Sequence, residues 1–420
     1  PYSETPALDS LDRTAKEWLA RLKGEDEGDA GFLIRRFETL PGDGATRESL
    51  YDSLDVPVIL DPGEDTPNRT RARHAGSPVV FQRGPMDRSR PSLKEAVQQP
   101  PVSVRRQRPR QADRLLDLTR EAMVNRLRDL YSFSHADRND VRLVDAGGGL
   151  QFACIGTLAQ RRLMLESVYG FLTLKNGVPI GYVLASTLFG STEVAYNVFE
   201  TFRSGEAAQV FGRVLAMCRH LFGSNSFSID PYQLGYGNPE GLHSGAWWFY
   251  YKLGFRPKDP EVKKLVRSEL AAMKKDRAHR TGPERLEQMA SQYLYYEPQG
   301  TGGPLLGGMP LSNVGIRISE FLAENYGADR EKGIRVCAEE AGRLLGVRSR
   351  ARYTPSQRLW WNRWAPLVLL LPGVKRWSHA NRKALVDVIR AKGGKSEIEF
   401  IRKFAGHRAL QRALLRLITP

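Results

Sequence analysis

Apolar residues recur along the chain in two rhythms, and the predicted element changes where the rhythm does. Leu115, Leu116, Leu118, Ala122, Met123, Leu127 and Leu130 fall at helical spacing, which predicts an amphipathic helix over 112 to about 131. Strand-like runs follow at 141–144 and 150–155, joined through Gly147-Gly148-Gly149, and a short helical stretch comes next at 159–165. Residues 169–174 and 178–185 flank Lys175-Asn176-Gly177. An Asn-Gly pair between two apolar strands predicts a hairpin, because both central residues of the favoured turn need positive φ. Residues 193–199 read as a further strand leading into a helix over about 206–222, which Gly223 stops. A short strand at 227–229 and an aromatic helix at 245–253 complete the series. This order predicts a mixed β-sheet with helices packed on it, an α/β fold.

The flanks follow other patterns. Residues 1–65 form an acidic segment with short helices: Trp18, Leu19 and Leu22 share one helical face, and Phe32, Leu33, Phe37 and Leu40 make a second apolar set. Residues 56–63 read as an extended piece ended by Pro62-Gly63. Residues 66–111 are rich in Pro, Arg, Gln and Ser without apolar periodicity, and so predict a basic linker. Residues 261–304 read as a helical connection with a Gly-rich break, and 305–420 as a basic helical domain. In that last part Thr354-Pro355-Ser356-Gln357 is a helix start, with a threonine cap, proline at the first helical position and glutamine to complete a capping box. Later helices are expected at 378–392, 396–404 and 407–418. A second core is expected from the cluster Leu359, Trp360, Trp364, Leu367, Leu369 and Leu370, with Pro366 kinking or ending its helix.

Charge sharpens this division. Residues 1–68 carry 7 basic and 16 acidic groups, 69–114 carry 12 and 3, 115–260 carry 14 and 13, and 261–420 carry 30 and 15. The basic character therefore belongs to the flanks of a nearly neutral centre, and Arg402, Lys403, Arg408, Arg412 and Arg416 are expected on outward faces available to an anionic partner. Cys154, Cys218 and Cys337 are far apart in apolar stretches, which offers no disulfide framework or CxxC metal site and predicts a reducing, cytoplasmic setting. No apolar run approaches the roughly 18–20 residues of a membrane span. Walker A, HExxH and GxSxG motifs are absent.

The run Trp248-Phe249-Tyr250-Tyr251-Lys252-Leu253-Gly254-Phe255, with the hairpin, strand and helix before it, resembles the centre of the GNAT superfamily of acyltransferases. The resemblance covers 169–258, with 112–168 supplying the first elements. It implies a fold whose two central strands splay apart to receive the pantetheine arm of an acyl-CoA, acetyl-CoA or another, while the helix that follows points its N-terminus at the pyrophosphate. On that pattern Val198, Phe199, Arg203, Ser204, Gly205, Ala207, Ala208 and Asn238 would meet the cofactor. The family's phosphate loop begins with Arg or Gln; here Phe202 holds that position, Arg203 lies one residue late, and Glu206 adds a negative charge. The resemblance implies Tyr250 as the acid for the departing thiolate and Glu200 as the base, with Glu193, Asp230 and His243 as further options. The polar segment 230–240 reads as an insertion beside the acceptor pocket. The function implied is acyl transfer to an amine. The alternatives are a GNAT-like binding protein without catalysis and a basic protein that binds nucleic acid or another anionic surface.

Overall fold

The computed structural model describes residues 14–25, 27–41, 44–54, 72–85, 89–126, 128, 131–203, 206–298, 300 and 303–418. The chain divides into two compact units, residues 1–68 and 69–420. In the first, three helices are described, α1 (Ala15–Lys23), α2 (Asp29–Glu38) and α3 (Gly44–Asp52). Thr14 and Glu17 close a capping box on α1, and the Phe37 and Tyr51 rings meet edge-on with centroids 5.4 Å apart. The extended piece expected at 56–63 lies outside the described residues.

The second unit is built on one nine-stranded mixed sheet. Its strands are β1 (Ser103–Arg106), β2 (Ala136–Gly147), β3 (Leu150–Thr157), β4 (Ser167–Lys175), β5 (Val178–Leu188), β6 (Ser191–Val198), β7 (Ser226–Ile229), β8 (Arg256–Pro257) and β9 (Leu294–Tyr296), in the order β1-β2-β3-β4-β5-β6-β7-β9-β8. Every pairing is antiparallel except β6 with β7. The β4–β5 turn carries Asn176 at φ 51° and Gly177 at φ 79°, as the Asn-Gly signal requires.

Two layers cover the sheet. On one face α4 (Pro109–Val124) and the single turn α5 (Tyr131–Ser134) bury Leu115, Leu116, Met123 and Phe133 against Leu143, Ile155, Leu172 and Tyr182. The helix ends earlier than periodicity predicts, and Leu127 and Leu130 lie outside the described residues. On the other face α6 (Ala207–Phe222) packs Val210, Phe211, Val214 and Phe222 over Phe171, Val183 and Val194. Between β7 and β8 come α7 (Pro231–Leu234), α8 (Pro239–Ser244) and α9 (Ala246–Leu253); α10 (Pro260–Lys275) and α11 (Pro283–Ala290) precede β9.

Residues 66–111, expected as a linker, are in part structured. Ser103–Arg106 pairs with β2, Leu93 and Val97 are buried in the main core, and His74 N–H donates to Gly177 O at the hairpin turn (2.9 Å). These contacts are long-range and leave no periodic trace. Likewise the helix expected at 159–165 is a single 3-10 turn over Ala159–Arg161.

The helices of 305–420 fall in the same compact unit as the sheet. They are α12 (Ser312–Tyr326), α13 (Arg330–Leu345), α14 (Pro355–Leu370), α15 (His379–Lys392), α16 (Glu397–Gly406) and α17 (Arg408–Ile418). The joint is chemical as well as apolar. Trp360 and Trp364 donate indole N–H groups to Ala159 O (2.7 Å) and Met164 O (3.2 Å), so the tryptophan-rich helix is anchored to the connection between β3 and β4. Trp360, Trp361, Trp364 and Leu367 are fully buried, while Leu359, Leu369 and Leu370 are half-buried. Pro366 sits inside α14, which continues past it to Leu370. Beneath this joint the buried Lys392 ammonium pairs with Glu397, and Asp140 accepts from Tyr169 Oη (2.7 Å) and the Glu397 backbone N–H (3.2 Å). Arg402, Lys403, Arg408, Arg412 and Arg416 are exposed, as expected.

Candidate functional site

The site begins where a ladder stops. Parallel pairing between β6 and β7 covers only Ser191–Glu193 with Ser226–Ser228, although β6 runs on to Val198. Beyond Glu193 the edge of β6 that faces β7 has no strand partner among the described residues. A cavity of about 540 Å³ lies there, walled by Ala195–Val198 on one side and by Tyr232, Asn238, Gly241, Ala246 and Tyr250 on the other. Short helices form the second wall because their caps are coded locally. Asp230 accepts from Tyr232 N–H (2.8 Å) and Asn238 from Gly241 N–H (3.2 Å), each followed by a proline suited to the first helical position. The segment 230–240, read from the sequence as an insertion, thus lines the cavity.

Tyr250 is 3 % exposed yet contributes to the cavity wall. Its ring is held edge-on against Phe211, Phe249 and Phe255, and burial pushes its phenol up, so it stays protonated. Tyr196, also in the wall, donates its hydroxyl to Ala207 O (3.2 Å) at the start of α6. On the opposite face Asn197 Nδ2 donates to Tyr182 Oη (3.1 Å).

At the mouth Arg128 meets Glu240 with two hydrogen bonds of 3.0 Å, and Arg203 pairs with the same carboxylate. Arg203 Nε also donates to Val198 O (3.2 Å), which ties its guanidinium to the end of β6. Hydrogen bonds from Arg128 and Arg203 hold the Glu240 carboxyl down at about 2.

The remaining sequence-predicted residues divide. Val198, Arg203 and Asn238 line the cavity. Ala207 and Ala208 open α6 and are half-buried, whereas Ser204 and Gly205 lie outside the described residues. Phe199 is buried in the opposite-face core under the Arg126 guanidinium (4.3 Å) and does not line the cavity. Glu200 is exposed in the 3-10 turn Glu200–Phe202 and also falls outside the lining, because the chain turns away after Phe199. His243 is exposed, its Nδ1 2.6 Å from Pro239 O.

Glu193 also falls outside the lining, but its surroundings differ. It is half-buried at the last β6–β7 pair, on the same strand face as Ala195 and Asn197 of the cavity wall. Desolvation, then Asp230 and Glu166, push its carboxyl up to about 7, against a hydrogen bond from Tyr293 that lowers it. Ser228 pairs with Glu193 in the ladder, and its buried hydroxyl has no partner among the described residues. Arg128, Glu240, Tyr182 and Tyr293 were not singled out by sequence reasoning; the only signal available was local, the Asn238-Pro239 cap that sets Glu240 in the first turn of α8. Among the described residues no group of His, Cys, Asp or Glu could hold a metal ion, and no helix is long and apolar enough to cross a membrane. Comparison with known proteins finds no family model, curated protein or solved structure that matches this chain.

Proposed function

We propose that the protein is a GNAT-like N-acyltransferase that moves an acetyl or other short acyl group from its CoA thioester to an amine. The observation that carries this reading is the interrupted β6–β7 ladder: a parallel pair joined over three residues, a cavity in the opening beyond, and a sixteen-residue helix starting just after it. The aromatic helix α9 packs on that helix through Tyr250 and Phe211. An extended thioester arm fits the requirements of the site, since the free edge of Val194–Val198 offers backbone donors and acceptors and Arg128 and Arg203 stand at the mouth for phosphate.

When bound, the acyl-CoA supplies an activated carbonyl and a thiolate leaving group. Glu193 takes the proton of the attacking amine, directly or through one water, and its raised carboxyl matches the few-units-below-amine basicity that such transfer needs near neutral pH. This assigns to Glu193 the role first expected of Glu200, whose side chain faces solvent. Tyr250 stays protonated and donates a hydrogen bond to the sulfur as the C–S bond breaks and the C–N bond forms. A phenol raised by burial is a weaker acid than a thiol, so its contribution is stabilisation of the developing charge rather than early proton transfer.

The test is calorimetric titration with acetyl-CoA followed by an assay for free thiol with a panel of amines. Binding with thiol release above the hydrolytic background is expected. Binding without turnover would leave a CoA-binding protein, and no binding would remove the reading. Tyr250→Phe is expected to lower turnover by about tenfold or more with little change in acetyl-CoA affinity, since a donor to the leaving group acts in the transition state. Equal turnover would reduce Tyr250 to a packing residue.

A further inference from the structure

Glu240 makes a conspicuous use of two cations. One carboxylate, 46 % exposed, is gripped by the fork of Arg128 and by Arg203, side chains that are 25 % and 35 % exposed. Such a partly solvated cluster contributes little to stability, on the order of 1 kcal/mol or less for a pair. The three groups leave a net charge of +1 at the mouth of a 540 Å³ cavity. The Arg203 guanidinium has a second anchor in Val198 O, and the Arg128 backbone N–H bonds to Met123 O (3.0 Å), which fixes its main chain at the end of α4. A phosphate dianion would satisfy the two cations more fully than one carboxylate does, with three acceptor oxygens for two forks.

We propose that Glu240 is an internal stand-in for a phosphate group: Arg128 and Arg203 form a binding fork for a phosphate-bearing small ligand, and that ligand enters by displacing Glu240. The acyltransferase reading bears only on which phosphate ester binds, and the fork is tested independently of it. Glu240 then sets affinity by competition. Removing its charge strengthens ligand binding, whereas a carboxylate that merely stapled α8 to the rest of the site would weaken binding when lost.

The experiment is calorimetric titration of the full chain with inorganic pyrophosphate, CoA and N-acetylglycine, using wild type, Glu240→Gln and the double variant Arg128→Gln/Arg203→Gln, with thermal melts to confirm folding. For pyrophosphate, Glu240→Gln is expected to bind at least about fivefold tighter than wild type, with a steeper salt dependence, and the double variant to lose binding. Unchanged or weaker pyrophosphate binding by folded Glu240→Gln would overturn the proposal. So would a larger gain for the monocarboxylate N-acetylglycine than for pyrophosphate, which would assign the fork to a carboxylate. If Glu240→Gln fails to fold, Glu240→Ala and the salt dependence of the wild type decide the matter, and a wild type with no salt-sensitive pyrophosphate binding overturns it. A gain for pyrophosphate without any affinity for CoA would uphold the fork while removing CoA as the ligand.

Discussion

A carboxyl that titrates near neutrality leaves two independent marks, one on rate and one on stability. Glu193 has its folded value raised to about 7 from an ordinary 4.5, chiefly by burial. If it is the base, the rate should climb as pH rises through about 7, and Glu193→Gln should abolish that limb and cost roughly 10² or more in turnover. For stability, the folded chain holds a proton between 4.5 and 7 that the unfolded chain has lost, so this group's contribution falls as pH rises through that window. Glu193→Gln should therefore flatten the fall of melting temperature across that range. Buried Lys392 behaves otherwise. Burial lowers its ammonium to about 8 in spite of Glu397, so it stays charged at neutral pH. Lys392→Met leaves Glu397 with Arg162, at 3.7 Å, as its one cation among the described residues, and should cost about 3 kcal/mol by chemical denaturation.

At the scale of elements, the close approach of β5 and β6 beside the cavity rests on Gly181. A Cβ there would stand 2.3 Å from Asn197 O and 3.1 Å from Val198 Cα. Gly181→Ala must push the end of β6 aside, and a loss of about 1–3 kcal/mol in stability together with weakened acetyl-CoA binding is expected. Much of this architecture was legible in the sequence. The Asn176-Gly177 hairpin, the helix from Ala207 and the aromatic helix before Gly254 all announce themselves through turn chemistry or period. The strands β1, β8 and β9 did not, since four, two and three residues are too few for a period and their partners are remote in sequence. The start of β2 was hidden for another reason: Asp137 and Asp140 interrupt any apolar pattern, yet both are buried, and Asp140 is held by Tyr169 and Glu397. The choice between two candidate bases was hidden in a similar way. Glu193 and Glu200 look alike in sequence, and only the end of the β6–β7 ladder separates a half-buried carboxyl from one on a turn in water.

Across the whole molecule, the C-terminal helices hold the sheet together from outside. Trp360→Phe should leave the Ala159 carbonyl unmet in a buried joint, at about 1–3 kcal/mol measured by denaturation. That joint also bears on how the protein is made. Asp140 and Tyr169 are complete only when the backbone N–H groups of Glu397 and Ile398 reach them, more than two hundred residues later. At a synthesis rate of roughly 5–20 residues per second, the strand that carries Asp140 emerges tens of seconds before its cap exists. Until then the carboxylate has its strand neighbour Arg142 and the Tyr169 hydroxyl as partners, so this part of the sheet gains its last hydrogen bonds when the C-terminal helices dock.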